Sequence, residues 1–161
     1  MTKNAAEGLN YGAEMSLDSE ISDKVSMFLN LGILETEIRK YQSRPDLEGR
    51  EQAHAPDYSF SAGLSWEISN NVEFLLDVNG KSDFYYSDSH DNSSDKYILT
   101  NMNLIYEKKN INLNFWIRNI FDEYYSLRGF YFGNEPPNFE DTLYERHGDP
   151  RNYGVTFRYD F

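Results

Sequence analysis

The chain has no cysteine, no long apolar run and few basic side chains. Each of these features limits the kinds of protein to which the chain can belong. The absence of cysteine fits passage through an oxidising compartment. No apolar run reaches the roughly 18 residues that a transmembrane helix needs, and the mean hydropathy is −0.73. With 27 acidic against 15 basic residues, the net charge is −12. This charge argues against nucleic acid as a partner, because phosphate binding needs a basic surface.

Motifs for catalysis and metal binding are also missing. His54, His90 and His147 lie far apart without short ligand spacing, so solvated loop histidines are favoured over a zinc site. Carboxylate pairs such as Asp88 and Asp91 are expected on so acidic a surface. No serine stands in a nucleophile elbow, and no glycine-rich phosphate loop leads from a strand into a helix. We therefore expect no enzyme activity, no cofactor and no metal site.

Alternating strands dominate what is present. The 161 residues suit one domain, and 16% of them are aromatic, which suits strands. The clearest strand is the last, where one face carries Tyr153, Val155, Phe157, Tyr159 and Phe161 and the other is polar. A period of two with one apolar face predicts a half-buried strand. A final aromatic residue favours a strand that spans a membrane, with aromatic rings at its interfaces.

The same periodicity predicts seven strands and a regular order of connections. The predicted strands are residues 7–18, 24–38, 57–69, 72–86, 96–107, 110–121 and 153–161. Short connections at 19–23, 70–71 and 108–109 alternate with long ones at 39–55, 87–95 and 122–150. Strict alternation places every short turn on one rim and every long loop on the other, as transmembrane barrels do.

Alternation alone leaves two architectures open, since a soluble barrel would share the period but bury its apolar side. The polar face carries bulky Asn, Glu and Arg side chains, which would leave many unpaired groups in a closed core. Aromatics gather near strand ends, as a membrane girdle would require: Tyr58, Tyr85, Tyr86, Tyr106, Tyr124, Tyr125, Tyr153 and Tyr159. These features favour an all-β, antiparallel up-and-down transmembrane β-barrel segment. The alternative is a soluble β-sandwich or β-barrel acting as a ligand-binding module.

The membrane interpretation assigns each face of the strands to one environment. We predict that the apolar positions face lipid and the polar positions face the barrel lumen. The predicted lipid-facing residues are Tyr58, Leu64, Trp66, Leu113, Phe115, Val155 and Phe157, and the lumen-facing ones are Ser61, Glu67, Asn114 and Arg158.

Several short motifs occur in a characteristic order. They are LEGRE at 47–51, AP at 55–56, YSFSAGLSW at 58–66, NIFD at 119–122 before YY at 124–125, and GDPR at 148–151. Together with the last strand, they make residues 47–161 resemble the C-terminal end of a TonB-dependent outer-membrane receptor, and residues 1–46 fit two further strands. Within these motifs, Asn119 and Asp122 suit hydrogen bonds to local backbone. Pro150 suits the point where the loop rejoins the sheet.

The resemblance implies that residues 1–161 are the C-terminal part of a barrel of about 22 strands. It implies an energy-coupled importer of a large scarce nutrient, such as a ferric siderophore, in the cell outer membrane. Its partners would be lipid, the rest of the barrel and its plug, an energy-transducing periplasmic protein and the barrel-assembly machinery. Met1 is followed by TKNAAEG, with neither a basic nor an apolar export region. We therefore expect the signal peptide and plug to lie outside this chain, and the chain alone neither to transport nor to close.

Two sets of residues are the candidate functional positions. Arginines beside aromatic rings suit an anionic iron chelate or a sugar, and the long extracellular loops place Arg39, Arg44, Arg50, Tyr85, Tyr86, Arg128, Tyr131 and Phe132 on one rim. The resemblance further implies that the terminal strand is part of an assembly signal, carried by Tyr153, Val155, Phe157, Tyr159 and Phe161. The sequence does not choose among siderophore, haem, cobalamin and glycan.

Overall fold

The computed structural model describes residues 7–161, and its regular structure is almost entirely β-strand. Residues 1–6, on which the prediction about an export signal falls, lie outside the described residues. The strands are β1 (Glu7–Ser22), β2 (Val25–Lys40), β3 (Tyr58–Ser69), β4 (Val72–Lys81), β5 (Tyr97–Lys108), β6 (Ile111–Arg118), β7 (Ser126–Phe132), β8 (Thr142–His147) and β9 (Asn152–Tyr159). One short 3₁₀ turn covers Pro45–Leu47. No segment within residues 7–161 forms a helix that would traverse a lipid bilayer.

The strands form one large antiparallel sheet and one small hairpin. The large sheet has seven strands in the order β1-β2-β3-β4-β5-β6-β9, and β7 pairs with β8 in a separate sheet. Neighbouring strands follow one another along the chain except where the hairpin intervenes, so the topology is up-and-down. Within residues 7–161, β1 and β9 are not paired with each other, so the large sheet is open. The predicted fold class is confirmed, including the alternation of short turns and long connections.

The register places apolar side chains on one face across the whole sheet. One row of paired residues runs through Met27, Leu64, Leu76, Met102, Ile117 and Tyr153. Polar pairs such as Asn30 with Ser61 and Ser61 with Asn79 lie on the opposite face. The predicted division of residues between two faces is therefore confirmed.

The apolar face of the sheet is not covered by a second layer. Tyr153, Val155 and Phe157 on β9 are 78%, 58% and 62% exposed. In the described part of the chain, the buried hydrophobic side chains all lie at the long-loop end: Ile38, Tyr41, Leu47, Phe84 and Tyr86. A soluble sandwich would instead bury this face against another sheet. The exposed face therefore does not support the soluble alternative.

Three predicted strands end earlier in the structure, the last of them at Tyr159 instead of Phe161, and the first two strands end later, at Ser22 and Lys40. The fourth strand was predicted to reach Tyr86 but ends at Lys81, because the chain then pairs within its own loop. There the Phe84 amide donates to Ser94 Oγ at 3.2 Å, and the Ser94 amide donates to Phe84 O at 3.0 Å. The sixth strand ends at Arg118 because Asn119 has a φ of +50° and turns the chain.

The prediction that residues 122–150 form only a loop is wrong, because this segment contains the β7–β8 hairpin. The hairpin carries aromatic or charged residues on both faces, so its sequence does not divide into an apolar and a polar side. A period-two search for a half-buried strand therefore fails here.

Candidate functional site

Three long connections meet at one end of the sheet and form what we call the loop cluster: residues 41–57, 82–96 and 119–151. Tyr41 Oη donates to Asp88 Oδ2 at 2.8 Å, joining the first connection to the second. The amide of His54 donates to Tyr85 O at 2.9 Å across the same boundary. Tyr131 Oη donates to Asn92 Oδ1 at 3.0 Å and joins the third connection to the second. The three segments are therefore packed into one body.

Arg50 lies between two segments of the loop cluster, and its side chain is only 12% exposed. Its Nη1 donates to Asp91 Oδ1 at 2.6 Å, and its Nη2 donates to Ser87 O at 2.5 Å. Its Cζ lies 4.4 Å from the centroid of the Tyr85 ring. Arg50 and Tyr85, two of the predicted ligand-binding residues, are thus brought together, and their contacts hold the first two connections to each other.

Tyr86 is buried in the interior of the loop cluster. Its Oη donates to Glu145 Oε1 at 2.6 Å, and its ring covers Gly129, where a Cβ would have no room. Ser126 Oγ donates to the same carboxylate oxygen at 3.1 Å. Burial, together with the hydrogen bond to Glu145, raises the pKa of Tyr86 to about 12. The prediction that Tyr86 belongs to a membrane girdle is wrong, because its ring packs among the loops.

Two of the predicted arginines are paired with nearby carboxylates. Arg39 is the extra residue of a β-bulge near the end of β2, and its Nε lies 3.6 Å from Glu37 Oε2. Arg44 donates from Nη2 to Asp46 Oδ2 at 2.8 Å. The hydrogen bond between them raises the pKa of Arg44 and lowers that of Asp46. The charges of Arg39 and Arg44 are therefore largely compensated by these neighbouring carboxylates.

The two faces of the β7–β8 hairpin have different surroundings. Gly129, Tyr131 and Glu145 lie on the face that packs against residues 82–96. The opposite face is formed by the paired residues Arg128 with Arg146, Phe130 with Tyr144, and Phe132 with Thr142. Arg128 and Phe132 thus lie on the same face, whereas Tyr131 lies on the other side. Sequence reasoning missed the partners on β8, because the hairpin has no purely apolar face by which a period of two would mark it.

Asn119 and Asp122 join the beginning and end of the third connection. Asn119 Nδ2 donates to Glu123 O at 2.9 Å and to Asp149 O at 3.2 Å, and its Oδ1 accepts from the Glu123 amide at 2.8 Å. Asp122 Oδ1 accepts from the Arg151 amide at 2.7 Å. The prediction that both side chains bond backbone is confirmed. Together they fix the base of the hairpin on the sheet.

The polar face of the sheet lines an open groove of about 740 Å³. Asp77 is among its lining residues; its Oδ2 accepts from Asn101 Nδ2 at 2.5 Å, and its Oδ1 lies 3.7 Å from Arg118 Nη1. Within residues 7–161, no three His, Cys, Asp or Glu side chains are grouped to hold a metal ion. The polar side chains of the groove, such as Asp77 and Asn79, offer hydrogen-bonding groups.

The predicted assembly residues lie on or just beyond β9. Four of them share the exposed apolar face of this edge strand, and Phe161 follows it: Tyr153, Val155, Phe157, Tyr159 and Phe161. The rings of Tyr159 and Phe161 meet edge to face, 5.1 Å apart.

Comparison with known proteins finds fold similarity at low sequence identity. No family model matches the chain. The ferric yersiniabactin uptake receptor FyuA of Yersinia pestis has a TM-score of 0.80 and 18% identity over 96% of this chain and 24% of its own. The siderophore receptor PiuA of Acinetobacter baumannii has a TM-score of 0.78 and 15% identity over 94% of this chain and 22% of its own. The ferric-catecholate import receptor Fiu of E. coli K12 has a TM-score of 0.71 and 14% identity over 93% of this chain and 20% of its own.

This similarity shows the fold: the large sheet has the architecture of a segment of a TonB-dependent receptor barrel, as the motifs predicted. The chain spans less than a quarter of the length of each of these receptors.

Proposed function

We propose that residues 1–161 supply the C-terminal strands of an energy-coupled importer in the outer membrane. The imported nutrient would be large and scarce, such as a ferric siderophore. One observation carries the proposal: an open seven-stranded sheet exposes a continuous apolar face and gathers its long connections at one end. Such a sheet is stable where lipid covers that face and other strands complete the hydrogen bonding of β1 and β9.

The two faces and two ends of the sheet indicate where partners would bind. Lipid would cover the apolar face, and the remaining strands of the receptor would continue the sheet from β1 and β9. The receptor plug would lie against the polar groove around Asp77, where side chains offer both donors and acceptors. An energy-transducing periplasmic protein would act through the plug, on the side of the short turns. In this arrangement the chain is part of a transporter and has no enzymatic role.

The loop cluster would face the outside of the cell and receive the ligand. Its acidic residues outnumber its basic ones in each of the three segments, so its arginines are local exceptions to the surrounding charge. The proposed ligand-binding residues remain Arg39, Arg44, Arg50, Tyr85, Tyr86, Arg128, Tyr131 and Phe132. Of these, Arg50, Tyr85 and Tyr86 would act by holding the segments in position.

The apolar face of β9 would serve as the signal read by the barrel-assembly machinery. Deleting Phe161 from the complete receptor should lower the amount of receptor in the outer membrane, and the assembled fraction should bind ligand with unchanged affinity. Immunoblots of membrane fractions and binding assays on the assembled receptor measure the two quantities. An unchanged amount of assembled receptor would remove this role from Phe161.

Uptake of iron by the parent bacterium tests the proposed function. Replacing residues 126–147 of the complete receptor by a short Gly-Ser linker should abolish uptake of the cognate ⁵⁵Fe chelate while the receptor still assembles. As a control, replacing Asn70 and Asn71 by Asp and Gly preserves a tight turn at the opposite end of the sheet and should leave uptake unchanged. Recovery of the receptor in the soluble fraction, or no uptake of any ferric chelate by the wild-type receptor, would refute the function, whereas full uptake without the hairpin would refute only the part of the hairpin in ligand binding.

A further inference from the structure

The exposed face of the β7–β8 hairpin brings two arginines directly opposite each other. Arg128 on β7 pairs in register with Arg146 on β8, so both side chains leave the hairpin on the same side. Like charges in directly opposed positions destabilise a strand pair. Neither arginine takes part in an ion pair within residues 7–161. The pair is therefore a local concentration of uncompensated positive charge.

The other arginines of the chain have partners. Nearby carboxylates at 2.6–3.7 Å compensate Arg39, Arg44, Arg50, Arg118 and Arg158. Arg151 donates from Nη1 to Ile120 O at 3.4 Å. In a chain of net charge −12, carboxylates are plentiful, yet none in the described residues pairs with either hairpin arginine. Glu135, which reaches the same face, accepts from the Tyr144 hydroxyl instead. Charge pairing accounts for five of the six other arginines and a backbone hydrogen bond for Arg151, which leaves Arg128 and Arg146 unexplained.

Aromatic rings continue the same face directly beside the two arginines. Phe130 and Tyr144 are the next pair in register, and their rings stack with centroids 5.9 Å apart and an interplanar angle of 25°. Phe130 is 50% exposed, and Phe132, one step further, is 41% exposed. Exposed rings of this kind offer flat surfaces on which another ring can stack. Arg128, Arg146, Phe130, Tyr144 and Phe132 form what we call the arginine–aromatic face.

We propose that the arginine–aromatic face binds an aromatic ligand with adjacent anionic oxygens, the chemistry of a catecholate or salicylate iron chelate. The proposal rests on the proposed importer function and narrows its ligand class. Each guanidinium presents a planar fork of donors that matches a pair of anionic oxygens, and the neighbouring rings contact the ligand ring. Binding an anion would also relieve the repulsion between the two arginines. A purely aliphatic chelate would use the charges but leave the rings unoccupied.

The test uses the complete receptor in detergent micelles and the ferric complex of 2,3-dihydroxybenzoate as the probe, followed by quenching of intrinsic fluorescence. Changing both Arg128→Gln and Arg146→Gln should weaken binding at least about tenfold, since each charge-assisted contact to a ligand is substantial. Arg158→Gln is the matched control, because Arg158 is paired with Asp160 near the opposite end of the sheet and lies outside the loop cluster. It should change affinity less than about twofold.

A second variant separates binding from folding. Arg146→Glu replaces the opposed like charges by an opposite-charge pair, which should preserve or raise the thermal stability of the hairpin while abolishing binding of the probe. Arg128→Lys, which keeps the charge but loses the planar fork, should retain part of the affinity. A merely structural role for the pair would instead make stability and binding fall together.

The outcomes distinguish the inference from the proposed function. Weaker binding in the double variant, with the control unchanged, supports the arginine–aromatic face. The inference is overturned if the wild-type receptor shows no saturable binding of ferric dihydroxybenzoate, or if the double variant binds it within twofold of wild type. Uptake of a non-aromatic ferric chelate by the same receptor would then keep the importer function and reject this ligand class.

Discussion

At the scale of single residues, neighbouring positions on one strand face different environments. Phe115 and Asn114 are adjacent on β6, and Phe115 shares the apolar face with Leu104 and Val155. Phe115→Arg should destabilise the complete receptor in lipid by about 2–4 kcal/mol, because the charge would enter hydrocarbon. Asn114→Arg is the matched control, and we expect little effect there. Urea unfolding of the receptor in bilayers measures both, and equal tolerance would mean that the faces are assigned wrongly.

The buried hydroxyl of Tyr86 gives the loop cluster a specific dependence on pH. Its pKa is about 12 in the folded state, against an ordinary value of 10.0, so folding favours the neutral form. The stability that neutral Tyr86 contributes is complete below pH 10 and is lost as the pH rises through about 12. Tyr86→Phe should lower the free energy of unfolding by roughly 1.5–3 kcal/mol at neutral pH. The difference in stability between this variant and the wild type should shrink as the pH rises from 10 to about 12. Thermal unfolding of the complete receptor at pH 8–12 follows this difference.

A second tyrosine provides the comparison for Tyr86. Tyr131 is partly exposed, and its hydroxyl donates to the neutral side chain of Asn92. Tyr131→Phe should therefore cost only about 0.5–1.5 kcal/mol at neutral pH. If the stability difference between wild type and Tyr86→Phe stays constant up to pH 12, the Tyr86 hydroxyl does not titrate as a buried group.

At the scale of elements, the attachment of the hairpin depends on Asn119. This side chain is 4% exposed and bonds the backbone of Glu123 and Asp149. Asn119→Ala should destabilise the hairpin by roughly 2–3 kcal/mol, because it leaves buried backbone groups unpaired at a residue with positive φ. Hydrogen exchange of the amides of residues 126–147 in the complete receptor should accelerate accordingly.

The control for Asn119 is an exposed turn asparagine. Asn110 also bonds backbone, donating from Nδ2 to Asp160 O at 2.7 Å, but at the other end of the sheet. Asn110→Ala should leave exchange of the hairpin unchanged. If both variants accelerate hairpin exchange equally, the base of the hairpin is held by something other than Asn119.

The elements that sequence predicts best are those whose two faces differ chemically. The seven strands of the large sheet have this property, and β9, with Tyr153, Val155 and Phe157 on one side, is the clearest case. The β7–β8 hairpin lacks it, since Arg128 and Phe130 share one face while Tyr131 lies on the other. Its pairing depends on contacts with residues 82–96, which are distant in sequence. Local periodicity therefore does not reveal it.

The candidate site was predictable in location but not in detail. Loop lengths placed Arg50 and Arg128 on the same rim, which the structure confirms. The sequence did not show that Arg50 is held between Asp91 and Ser87 whereas Arg128 opposes Arg146. Whether an arginine is paired with other groups of the chain depends on tertiary contacts between loops. An aromatic run such as Phe84 to Tyr86 likewise has the same sequence signature in a membrane girdle as in a buried loop.

At the scale of the whole molecule, the open sheet predicts poor behaviour for the isolated chain. The outer edges of β1 and β9 would each present on the order of ten unpaired backbone groups, at several kcal/mol apiece in hydrocarbon. This cost exceeds the roughly 5–15 kcal/mol by which a typical domain is stable. Purified alone in detergent, residues 1–161 should therefore be polydisperse in light scattering. A monodisperse monomer with the heat-modifiable gel migration of a closed barrel would contradict this.

In the proposed orientation, with the loop cluster outside the cell, the packing of its three separate segments has a consequence for immune recognition. Tyr41 and Tyr131, from the first and third segments, are both fixed by hydrogen bonds to the second segment, at Asp88 and Asn92. An antibody against this surface would contact a discontinuous epitope that vanishes when the segments separate. Synthetic peptides copying a single segment would elicit antibodies that recognise denatured protein but not intact bacteria. A vaccine antigen from this region would have to present all three segments on a folded sheet.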